Sequence, residues 1–100
     1  MEIREYIEQN FDRFVEEWGS LIAIPSISAK PEHKEDMIRC AERWKELLLA
    51  AGAERAEVMP SKGNPIVYAE KLIGEEYPTV LVYSHYDVMP AEPLELWKSD

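Results

Sequence analysis

Ile3, Ile7, Phe11, Phe14, Val15 and Trp18 recur at intervals of three and four, the spacing that lines one face of an α-helix. The opposite face carries Glu2, Glu5, Glu8, Asp12 and Glu16, with Arg4 and Arg13 among them, and reads as solvated surface. Gly19 is expected to end this helix, because glycine readily takes the left-handed conformation that closes a last turn. Residues 21–28 (LIAIPSIS) form an apolar stretch broken by proline, expected to be a packed connection, with a substrate-contacting loop as the lesser alternative. A second helix is expected to open at Pro31, where the missing N–H is no loss. Glu32, Glu35 and Asp36 then suit the positive end of its dipole. Met37, Ala41, Trp44, Leu48 and Ala51 form its apolar stripe, widened by Ile38, Cys40 and Leu47, and Gly52 closes it. Both helices are expected to face a core, with Trp18 and Trp44 inside it.

Beyond Gly52 the period becomes extended. Residues 53–59 form a weak strand candidate ended by Pro60, and Ser61-Lys62-Gly63-Asn64 has turn chemistry. Residues 65–72 (PIVYAEKL) and 79–84 (TVLVYS) are stronger strands, rich in branched and aromatic residues. Residues 74–78 join them as a hairpin or a wider connection. The near-continuous apolar run at 79–83 predicts a strand buried on both faces of a sheet. Residues 88–100 have no clear period and read as a loop. The fold class is α/β, in the order helix-helix-strand-strand-strand, within one domain of 100 residues. The signals do not taper toward Asp100, so the sequence is expected to begin something longer.

Composition narrows the function classes. Twenty acids against eleven bases give a net charge of −9, which disfavours nucleic acid and anionic membrane as partners because both are polyanions. Cys40 is the sole cysteine, so an internal disulfide framework and a cysteine zinc knuckle are excluded. The opening MEIREYIEQNFDRF lacks the apolar core of a signal peptide, and no run approaches the ~18 apolar residues of a membrane span. A cytoplasmic location is expected.

The chemistry concentrates at Ser84-His85-Tyr86-Asp87. Residues two apart in extended chain point the same way, so His85 and Asp87 should project together. A histidine at a strand end can bind a metal while a neighbouring carboxylate fixes its tautomer. The plainer alternative, a strand-capping histidine beside a solvated aspartate, weighs about equally on spacing alone. His33, in the first turn of the second helix, reads as surface. Cys40 reads as an inert packed thiol. A Ser84-His85-Asp87 triad is disfavoured, since triads assemble from distant segments and no Gly-x-Ser-x-Gly elbow surrounds Ser84. Trp97, in a proline-rich loop, anchors that loop or lines a substrate entrance.

The stretch VLVYSHYDVMPAEPLELWKSD, with SLIAIPSISA upstream after an amphipathic helix, resembles the start of the zinc-dependent aminoacylase and dipeptidase metallopeptidase superfamily. Its members include acetylornithine deacetylase, succinyl-diaminopimelate desuccinylase, carboxypeptidase G and carnosinase-like dipeptidases. HYDVMPAEPLELW looks most like the dipeptidase branch. The resemblance implies the N-terminal part of a three-layer helix-sheet-helix catalytic domain over residues 1–100, without the smaller lid or dimerisation domain. It implies His85 as a ligand of one of two zinc ions, with manganese or cobalt as alternative metals, and Asp87 as the catalytic carboxylate that orients His85. The remaining ligands and the general base would come later in the chain. The expected substrate is a small peptide or N-acyl amino acid, and the 100 residues alone are expected to be inactive and to hold zinc weakly. An oligomer or a complementing C-terminal chain is the expected partner. The alternatives are a non-enzymatic acidic interaction module that keeps the fold, and a half-site completed by a partner chain.

Overall fold

The structure is a computed structural model, and it describes residues 1–98. Helix α1 (Ile3–Ile22) leads through a loop and a single 3-10 turn (Pro31–His33) into helix α2 (Lys34–Ala50). Strands β1 (Arg55–Met59) and β2 (Ile66–Glu70) follow as an antiparallel hairpin, and a second 3-10 turn covers Leu94–Leu96. No helix among the described residues is long and apolar enough to cross a membrane.

Helix α2 closes where its sequence predicts but opens at Lys34, three residues later than expected, because Pro31–His33 form a separate 3-10 turn. Glu35 and Asp36 occupy its first turn, where the dipole favours negative charge. At the far end Gly52 takes φ 113°, while the Gly52 N–H reaches Leu49 O at 3.1 Å and the Ala53 N–H reaches Leu48 O at 3.0 Å. These two bonds form a Schellman closure. Helix α1 does not stop at Gly19. It runs to Ile22, and the Ala23 N–H donates to Gly19 O at 2.9 Å. Pro25 sets the end instead, by turning the residue before it away from helical geometry.

The hairpin pairs Arg55 with Glu70, Ala56 with Ala69, Glu57 with Tyr68 and Val58 with Val67. Alternation sends Ala56, Val58, Val67 and Ala69 to one face and Arg55, Glu57, Tyr68 and Glu70 to the other. The polar face is laced together: Arg55 binds Glu57 at 3.0 Å, its guanidinium lies 5.5 Å from the centre of the Tyr68 ring, and the Tyr68 hydroxyl donates to Glu70 at 2.6 Å. That last bond pushes the Tyr68 phenol up. The apolar face packs against α2, which touches both strands. Met37, Cys40, Ala41 and Ala56 are buried there.

Two expectations are corrected. Residues 79–84 do not form a strand, and the segment is not buried. Val80, Leu81, Val82 and Tyr83 are 80–92% exposed. A strand exists only through ladder partners, and this stretch has none among the described residues, so the order seen is helix-helix-strand-strand. The fold is α/β in content, one helical layer on a two-stranded sheet. Nor does α1 face a core: Ile3, Ile7, Phe11, Val15 and Trp18 are all exposed, and no residue of the helix is buried. Its stripe meets no second layer. Helix α1 touches α2 chiefly near its C-terminal end, where the Arg43 guanidinium donates to Ser20 Oγ at 3.1 Å. Trp44 is half-buried. The result is an open shape: the radius of gyration is 16.3 Å, against about 13 Å for a compact chain of this length.

The two glycines give a direct test. Gly52→Ala should cost about 1–2 kcal/mol, because φ 113° strains any residue with a Cβ although space is available there. Gly19→Ala, in a helix interior with nothing near its Cβ, should stabilise by about 0.5–1 kcal/mol. Urea unfolding of both variants reads the opposite signs, and equal signs would contradict either the closure at Gly52 or the helix-interior placement of Gly19.

Candidate functional site

The site is built where the 86–88 segment returns to the loop between the helices. That loop contains two serines in alternation, Ser26 and Ser28, within Pro25-Ser26-Ile27-Ser28. Ser26 is 1% exposed. Its hydroxyl donates to Tyr86 O at 3.0 Å, and its carbonyl accepts the Val88 N–H at 2.9 Å. Tyr86 is thereby drawn over α2: the Cys40 thiol approaches the same Tyr86 carbonyl at 3.9 Å, and the Tyr86 hydroxyl donates to Pro65 O beyond β1. Burial pushes the Tyr86 phenol up, and it pushes the Cys40 thiol up as well, with an opposing contribution from Ser26. Cys40 is thus a packed, protonated thiol, as its sequence context suggests.

With Tyr86 turned inward, the residues on either side face outward on one side of the chain. His85 Nδ1 lies 2.9 Å from Asp87 Oδ1, and the Ser28 hydroxyl donates to Asp87 Oδ2 at 2.6 Å. Each carboxylate oxygen therefore has one partner. The bond from Ser28, then the one from His85, holds the Asp87 carboxyl below the usual carboxylate range, so Asp87 is ionised at neutral pH and fixes the imidazole with a proton on Nδ1. Nε2 is the nitrogen left for a ligand. The His85 side chain is 82% exposed and that of Asp87 42%.

The geometry suits one metal-binding nitrogen with its orienting carboxylate. It does not assemble a whole metal centre, which needs about three protein ligands. No cluster of three or more His, Cys, Asp or Glu able to hold a metal exists among the described residues. The sequence-based candidates His85 and Asp87 are brought together, but beside the 25–28 loop rather than at the end of a sheet strand. Among the described residues Ser84 makes no side-chain hydrogen bond to His85, whose Nδ1 pairs with Asp87. His33 is half-buried, not free on the surface, and pairs with Asp36 at 2.8 Å while Arg39 binds the other Asp36 oxygen at 3.1 Å. Trp97 is 62% exposed, so it does not pack its loop against the described residues. Ser28 was not foreseen as the partner of Asp87; the alternation of the two serines is the only signal for it in the sequence.

No family model matches the chain, and no solved structure matches it. In an alignment of 96 residues that covers 91% of the chain, it is 31% identical to a cysteinylglycine-S-conjugate dipeptidase of Corynebacterium striatum. It spans about one fifth of that relative, 20% of its length. The similarity points to a relationship with dipeptidases, and it includes nearly all of the segment that holds the helices, the hairpin and the site.

Proposed function

We propose that the chain is the N-terminal part of a metal-dependent hydrolase that cleaves an amide or peptide bond in a dipeptide or N-acyl amino acid. The observation that carries this reading is the relay from Ser28 through Asp87 to His85, which leaves Nε2 as the open nitrogen. A carboxylate that holds the rear nitrogen of an imidazole is the usual support of a histidine that binds metal. The similarity to a cysteinylglycine-S-conjugate dipeptidase supports a dipeptide as the kind of substrate.

In this reading His85 provides one ligand through Nε2. Asp87 acts as a positioning residue, holding Nδ1 of the imidazole and leaving Nε2 aimed outward. Ser28 restrains the carboxylate, and buried Ser26 holds the backbone from which both side chains project. Zinc at such a site, or manganese or cobalt in its place, supplies polarisation of the scissile carbonyl and a water of lowered pKa. The other ligands and the general base belong to a segment or complementing chain that brings further carboxylates and a second histidine. The lone ligand makes the 100 residues inactive by themselves, within a cytoplasmic enzyme.

Zinc titration followed by the imidazole resonances tests the assignment. The His85 resonances should respond, and His33→Ala should leave that response unchanged, a needed control because His33 also has a carboxylate, Asp36, on its Nδ1. Asp87→Asn should weaken the response about ten- to a hundredfold, and His85→Ala should remove it. An unchanged zinc isotherm in His85→Ala would sink the ligand assignment. In the intact enzyme the same variant should lose most dipeptide hydrolysis, and wild-type turnover there would be equally fatal. Submicromolar, stoichiometric zinc binding by the 100 residues would refute their description as a partial site.

A further inference from the structure

Beside the Ser28–Asp87 contact lies a cavity of about 260 Å³ that the metal-site reading does not use. Its lining includes Ser28, Lys30, Lys34, Met37, Lys62 and Asn64. Three of the six lysines of the chain thus meet at one cavity. Lys30 is paired with Glu92 at 2.9 Å, whereas Lys34 and Lys62 have no ion-pair partner among the described residues. Two separate elements bring them together. Lys34 opens α2, and Lys62 rides on a turn braced by Ser61, whose Oγ accepts the Gly63 N–H at 3.1 Å and donates to Asn64 O at 2.6 Å. The Met37 side chain, 2% exposed, gives the cavity an apolar wall. Ammonium groups and a side-chain amide around an apolar wall are the elements of a small oxyanion site.

We propose that this cavity binds the carboxylate group of a short peptide or N-acyl amino acid, with Lys34 and Lys62 as the main contacts and Lys30 as a support already neutralised by Glu92. The proposal rests on the hydrolase reading for its choice of substrate, and it gives that reading a recognition element. One lining residue, Ser28, is linked to His85 through two hydrogen bonds, from Ser28 to Asp87 and from His85 to Asp87, so the cavity adjoins the relay that holds the imidazole. Size and charge select a carboxylate over larger anions. The volume is below that of common pockets for drug-sized ligands, and a net charge of −9 repels polyanions at long range while the lysines act at short range.

Amide resonances of Ser28, Lys34, Gly63 and Asn64 report binding to the metal-free chain. N-acetylglycine should shift them with a dissociation constant at least about tenfold lower than N-acetylglycine amide, the loss expected when a charged hydrogen bond is removed. The double variant Lys34→Gln, Lys62→Gln should lose that preference. Lys34→Arg with Lys62→Arg should keep it, which separates charge from any change in folding. Equal binding of acid and amide, or an unaltered preference in the glutamine variant, overturns the proposal. Tighter binding of inorganic phosphate than of N-acetylglycine overturns the carboxylate assignment. The two readings fail separately. Retained acid preference with no zinc response at His85 removes the metal site alone, and a zinc response without acid preference removes the cavity alone.

Discussion

The buried hydroxyl and carbonyl of Ser26 are the constraint on which the rest of this structure turns. A polar side chain that is 1% exposed must find partners inside the protein or cost free energy. Ser26 finds them in the backbone of a segment sixty residues away, at Tyr86 and Val88. That pair of bonds closes the chain over α2, turns Tyr86 toward the hairpin and leaves His85 and Asp87 facing outward together. The geometry of the candidate ligand is thus a consequence of satisfying a serine, and the local sequence around His85 could not produce it alone.

Apolar packing contributes through a narrow contact. The four buried apolar residues belong to α2 and β1, and a two-stranded hairpin is marginal in water without a helix or third strand against it. Ion pairs add little, because all but the half-buried His33–Asp36 pair include at least one exposed side chain, and several lie one helical turn apart. Helix α1 depends on its own hydrogen bonds, an Arg13 network with Tyr6, Asn10 and Glu17, and its contact with Arg43. Burial in this molecule therefore falls away from the α2–hairpin contact toward α1.

Local signals were legible and distant ones were not. The closure of α2 at Gly52 could be read because glycine and helix end are neighbours in sequence. Gly19 misled, because Pro25, six residues later, decided where α1 ends. The strands at 55–59 and 66–70 were visible since a short turn joins them, so their ladder forms within one stretch of chain. Residues 79–84 have the same branched and aromatic composition but no ladder partner, and composition cannot supply one. Likewise the amphipathic period of α1 shows that its stripe can be buried, not that anything covers it. At the site, the pairing of His85 with Asp87 follows from alternation and was readable. The roles of Ser26 and Ser28, and the meeting of Lys34 with Lys62, arise from contacts between separate elements and were not.

The bare stretch at residues 79–83 has a further consequence for the behaviour of the protein in solution. It is uncharged, branched and aromatic, and Pro78 guards only its N-terminal side. Such a stretch is a template for ladders between molecules, of the kind that native proteins interrupt with charge. The only general opposition is the mutual repulsion of chains carrying −9, and that repulsion shrinks to a range of about 8 Å at physiological ionic strength. Colloidal stability of the isolated chain is consequently a property of the buffer as much as of the fold, and falls as salt is added.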